Sequence, residues 1–128
     1  MKELLFFLML FPAFLSAQTE WEYVSTDSEN AKFYIKDINK KKYSTKITVW
    51  VKIVDADKIV KSKKGNINKK GSISMQQWII ECEDKTIEVS SITKYNSEGK
   101  VILSDRGSYV PQPVVPDSIG EAVVLQAC

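Results

Sequence analysis

The chain has 128 residues, with 18 Lys+Arg against 16 Asp+Glu, two cysteines and no histidine. That length sustains one domain, and 44% hydrophobic with 27% charged residues fits neither a disordered chain nor a membrane-spanning one. Without histidine there is no imidazole base or ligand, hence no Ser-His-Asp or Cys-His machinery. A net charge of +2 is too small to hold nucleic acid by bulk electrostatics.

Met1–Ala17 reads as a secretory signal peptide. Lys2 supplies the positive start, Leu4–Leu15 is an almost unbroken apolar run around Pro12, and Ala17 is a small residue at the cut. The run is shorter than the ~20 apolar residues a membrane-spanning helix needs, so a retained anchor is the weaker alternative. Residues 18–128 are therefore expected as an exported domain, in the periplasm, secreted or on the outer surface. No cysteine lies near the cut, so no lipid-modified cysteine is expected there. In an oxidising compartment Cys82 and Cys128 predict one intramolecular disulfide. Two buried thiols, or an intermolecular bridge through Cys128, are the alternatives. The pair lacks C-x-x-C spacing and makes a poor metal site.

Period-two alternation dominates the rest. Trp21–Val24 and Lys32–Ile35 read as two strands. Next comes a long β-branched strand with Thr45, Ile47, Val49, Val51 and Ile53 on one face and Lys46, Thr48, Trp50 and Lys52 on the other. Gln76–Cys82 puts Trp78, Ile80 and Cys82 on one side, Thr86–Tyr95 turns Ile87 and Val89 inward, and Lys100–Ser104 follows. Asn96-Ser97-Glu98-Gly99 is the turn between the last two, with glycine where positive φ is wanted. Short connections favour antiparallel neighbours. The expected fold is α+β but mostly β: a single antiparallel, meander-like sheet of about six strands.

Pro111, Pro113 and Pro116 keep the tail extended. Ser118-Ile119-Gly120-Glu121 then offers a capping box, with Ser118 as N-cap and Glu121 reaching back to its amide. This predicts a short helix over Ile119–Ala127, packed on the sheet through Ile119, Ala122 and Val123. A seventh strand through Val123-Val124-Leu125 competes with it, because Gly120 and the two valines are poor helix formers. Such a helix is too short to stand alone, and Cys128 is placed to tie its end to Cys82.

The long strand with Val49-Trp50-Val51, the central Cys82 with two alternating strands around Gly99, and the ending Pro116-Asp117-Ser118-Ile119-Gly120-Glu121 with Cys128 resemble the bacterial surface-adhesin E family. The resemblance spans nearly all of the exported part. It implies an antiparallel sheet carrying a C-terminal helix, a Cys82–Cys128 disulfide, often a dimer, and binding of host matrix or plasma proteins at the cell surface.

The segment Lys58–Gly71 carries Lys58, Lys61, Lys63, Lys64, Lys69 and Lys70 and no acidic residue, leaving −4 for the rest of the chain. Such asymmetry attracts acidic glycans, anionic headgroups or an acidic protein surface. Gly65-Asn66 and Gly71 mark it as a flexible excursion. Its bland counterpart is a solvated lysine loop that keeps a sheet edge from sticking. No aromatic is interleaved with these lysines for base stacking, so nucleic acid is not an expected partner.

Trp50 and Tyr34 fall on the outward parity of their strands, and with Ile92 and Ile102 they are expected to form an apolar patch for a ligand or a second copy. The competing expectation buries both sheet faces within the monomer, under the helix on one side and the Pro-rich tail on the other. Glu81, Glu83, Asp84, Asp55 and Asp57 read as solvated turn charges rather than a calcium loop or a hydrolytic pair. No G-x-G loop is present to cradle phosphate, and no cofactor or metal is expected. The expectation is a non-catalytic binding domain acting through the lysine-rich loop and the aromatic face. The alternative is a periplasmic structural or stress-related protein whose main association is homodimerisation.

Overall fold

A computed structural model describes residues 20–108 and 110–128. The proposed signal peptide, Met1–Ala17, lies outside the described residues. The elements in chain order are β1 (Glu22–Thr26), β2 (Lys32–Lys40), β3 (Lys46–Val54), β4 (Lys58–Ser62), β5 (Gly65–Lys69), β6 (Ile73–Glu81), β7 (Thr86–Tyr95), β8 (Val101–Asp105), β9 (Gln112–Pro113) and α1 (Ile119–Ala127). The main sheet runs β1-β2-β3-β6-β7-β8, each pair antiparallel, and two-residue β9 adds to the free edge of β7. Strands β4 and β5 leave this order and pair only with each other.

The alternation on β3 produces the layer it predicts. Ile47, Val49 and Val51 are buried, and their cross-strand neighbours Ile35, Trp78 and Ile80 join them. Residues directly opposite share a face, so one parity of each central strand makes a continuous apolar surface. Helix α1 lies on that surface. Val123, Val124 and Ala127 are its buried residues, with Ile119 half-buried beside them. The stripe is thus centred further along the helix than Ile119, Ala122 and Val123 alone would put it.

Ser118 caps α1 by accepting from the Glu121 N–H at 3.2 Å. The Glu121 carboxylate reaches back to the Asp117 amide at 3.4 Å, one residue before the Ser118 amide that the capping box predicts. Residues Val123–Leu125 are helical, so the competing seventh strand is not formed. Three ties fix the helix end, one of them a bond from Lys40 Nζ on β2 to the Cys128 carbonyl at 3.3 Å. Cys128 is bonded to Cys82 across a sequence separation of 46, with Cα atoms 6.0 Å apart, an ordinary disulfide span. Gln126 donates to the Tyr23 carbonyl and the Glu22 carboxylate on β1.

The Pro-rich tail takes the same side as the helix. Val114 packs against the cluster beneath α1 and donates its N–H to the Lys85 carbonyl. The two-sided burial, with helix and tail on opposite faces, is therefore not what forms. Among the described residues no second layer covers the face that carries Trp50. No described helix is long and apolar enough to cross a membrane.

Candidate functional site

Two surfaces carry the residues singled out by sequence. The first is the β4–β5 hairpin, which replaces the flexible excursion expected over Lys58–Gly71. Its register is Lys58↔Lys69, Ile59↔Asn68, Val60↔Ile67, Lys61↔Asn66 and Ser62↔Gly65, with Lys63 and Lys64 as the two-residue turn. Gly65 takes φ +111°, and the Ser62 hydroxyl bonds the Gly65 carbonyl and accepts from the Lys64 N–H, so the turn is locally held. Every residue of both strands is exposed. A lone two-stranded hairpin is marginal in water, and this one draws its support from its base. There the Asp55 N–H donates to the Ser72 carbonyl at 2.9 Å, Ser72 Oγ bonds the Asp55 carboxylate, and Asp57 accepts from the Gly71 N–H. An added Cβ at Gly71 would overlap the Asp55 carbonyl, so the two legs of the hairpin approach too closely for a side chain there.

The six lysines do not form one patch. Lys58 and Lys69 face each other at the base with Lys70 adjacent, whereas Lys61, Lys63 and Lys64 lie towards the tip. Five residues of strand put base and tip roughly 13 Å apart, more than the screening length of about 8 Å at physiological salt. A ligand at one end therefore feels little of the other. The base lysines border a cavity of about 400 Å³ that also involves Lys94 on β7 and Asn96 and Ser97 in the β7–β8 turn. Asp55 holds Lys94 at 3.9 Å, with both side chains well exposed.

The second surface is the outer sheet face. Tyr34 stands opposite Lys52, and Trp50 opposite Lys36 and Gln77. Trp50 is 36% exposed. Lys52 Nζ lies 4.8 Å from the Trp21 ring centroid and 5.0 Å from that of Tyr34, while Lys36 Nζ lies 5.6 Å over Trp21. Tyr23 meets Tyr34 edge-on at 5.8 Å. A shallow groove of about 930 Å³ runs between Trp21 and Trp50, walled by the β2 bulge at Asp37, whose φ is +55°. The face is a cationic aromatic array rather than an apolar patch.

Ile92 and Ile102 do not belong to it. The β6–β7 register shifts between Gln77 and Trp78, because Ser90 on β7 is an extra residue. Beyond that bulge Ile92 faces Gln76, whose side chain accepts from the Trp78 indole N–H on the core side. A second shift between Lys94 and Tyr95 displaces β8, and Ile102 borders the cavity at the hairpin base instead. Among the carboxylates, Glu81 accepts from the Thr45 hydroxyl, and Asp55 and Asp57 hold the hairpin base as described. Sequence reasoning missed Lys94, Asn96 and Ser97, which are distant in sequence from the lysine segment. It also missed Lys36 and Lys52 as partners of the aromatics, although their parity on β2 and β3 carries that signal.

No curated protein and no solved structure matches this chain at a significant level. The model of the family described as surface-adhesin protein E matches residues 21–128, which takes in the whole sheet, the hairpin, the helix and both cysteines. The chain belongs to the surface-adhesin E family.

Proposed function

We propose that this protein is an exported, non-catalytic binding domain that attaches to anionic components of host matrix or of the bacterial envelope through the β4–β5 hairpin. The observation that carries the reading is that hairpin itself: six lysines and no acidic residue in Lys58–Gly71, all of β4 and β5 exposed, standing outside the main sheet. Family membership supports an adhesin-like role at the surface. A cationic ribbon held clear of a −4 scaffold presents its charge with little internal neutralisation, which favours fast, salt-dependent capture of polyanions.

The test is retention of the processed domain on immobilised heparin. Changing Lys63, Lys64, Lys69 and Lys70 to Gln should move elution to markedly lower salt. Unchanged elution would remove the hairpin as the binding element.

The uncovered outer face supports a second reading, homodimerisation through Trp50 and Tyr34. It is the weaker one. Lys36 and Lys52 lie over the rings of that face, so two copies meeting there would bring four ammonium groups together. A dimer seen by light scattering and dispersed by Trp50→Lys would favour it; a monomer at every concentration would not.

A further inference from the structure

Resting on the hairpin reading above, we infer that the specific subsite is the cleft at the hairpin base, and that it takes a short anionic saccharide, one or two rings carrying sulfate or phosphate. Lys58 and Lys69 are directly opposite on the hairpin. Like charges in that position oppose pairing, where an acidic partner would support it. The Lys58–Gly71 segment holds no acidic residue to separate them, and an anion between them removes the penalty. Lys70 and Lys94 border the same cavity, so four lysines line it, against the one carboxylate of Asp55, which lies 3.9 Å from Lys94 Nζ.

The two carboxylates nearby are already engaged: Asp55 with the Ser72 hydroxyl and Lys94, Asp57 with the Gly71 N–H. The remaining charge balance is positive, and it is met at one place rather than along a ribbon. The rest of the lining suits a sugar better than a bare ion. Asn96 spends its Oδ1 on the Glu98 and Lys100 amides, so what it offers a ligand is its amide N–H donors. Ser97 adds a hydroxyl, and Ile102 an apolar surface for the face of a ring. The cavity, about 400 Å³, is within the size range of small-molecule sites. The tip, with Lys63 and Lys64, then contributes only longer-range attraction for a polymer.

The test titrates the processed domain at about 150 mM salt with a heparin-derived disaccharide in one arm and N-acetylglucosamine 1-phosphate in the other. Saturable binding in either arm is expected, and the stronger arm names the source, sulfated matrix glycan or phosphorylated envelope glycan. Lys94→Gln and Lys70→Gln should each weaken it about tenfold, the scale of one lost bond to a charged group. Lys63→Gln with Lys64→Gln should change it less than about twofold, since the tip is screened from the base.

Lys94 lies outside the hairpin, so its effect separates the cleft from the ribbon. If neither sugar binds while long heparin is still retained through Lys63 and Lys64, the cleft is overturned and the hairpin reading survives. If the unaltered domain is not retained on heparin either, both fall. Amide shift mapping on the unaltered domain keeps the test independent of variant folding. Perturbation at Gly71, Ser72, Asn96 and Ser97 is expected, and perturbation confined to the turn at Lys63 and Lys64 would refute the cleft.

Discussion

Cutting the bond between Cys82 and Cys128 removes the closure of a loop spanning a separation of 46 residues. The chain-entropy relation makes that closure worth about 4 kcal/mol at 25 °C, set against a net stability of only about 5–15 kcal/mol for a domain of this kind. The nine-residue helix α1 cannot persist undocked. After reduction its hold is the burial of Val123, Val124 and Ala127, the Gln126 bonds to β1 and the Lys40 bond to the Cys128 carbonyl. The reduced protein should therefore stay folded but melt roughly 15–20 °C lower, and its helix amides should exchange before the sheet does. Urea unfolding of the oxidised, the reduced and the Cys82→Ala/Cys128→Ala forms measures the difference directly. A loss below about 1 kcal/mol would mean that the unfolded chain is not loosened as the entropy relation requires. Unchanged protection of the Val123–Ala127 amides would show that the sheet alone keeps the helix in place.

Smaller perturbations test other parts of the frame by the same unfolding measurement. Ser118→Ala removes the acceptor for the Glu121 N–H and should cost about 1 kcal/mol; no loss would mean the cap is replaced by water at no cost. Gly99 and Gly107 both have positive φ, +82° and +75°, but only at Gly107 would an added Cβ overlap a backbone carbonyl, that of Val89. Gly99→Ala should therefore cost about 1 kcal/mol and Gly107→Ala about 3 kcal/mol. Equal losses at the two sites would mean that the close approach of Gly107 to the Val89 carbonyl relaxes at no cost.

The strands that sequence marks best are those with one face wholly committed to the core. Ile47, Val49 and Val51 alternate against Lys46, Thr48, Trp50 and Lys52 because burial on one side and water on the other enforce the period. The helix is readable for a different reason: Ser118 and Glu121 are a local signal that needs no tertiary partner. Strands β4 and β5 have no such commitment. Val60 and Ile67 pair in the open, and their alternation with lysine and asparagine separates no inside from an outside. The phase of Ile92 fails for a geometric reason. Ser90 adds one residue to β7 without a glycine to mark it, and one added residue turns every later side chain to the other face. The cavity at the hairpin base is assembled from Lys58, Lys69, Lys70 and Lys94, two stretches brought together by the β6–β7 pairing, so no local pattern announces it.

The β3–β6 ladder runs without interruption from Lys46↔Glu81 to Val54↔Ile73 and is sealed beyond its last pair by the Asp55–Ser72 backbone bond. Everything from Lys58 to Lys70 consequently hangs outside a seam that is already complete, so the scaffold has no stake in the length or chemistry of what hangs there. Each doubling of such an insert adds only about 0.6 kcal/mol of closure entropy. The position works as a socket: with Asp57 and Gly71 kept as its collar, unrelated peptides could be plugged in and displayed while the disulfide-tied body below keeps its register.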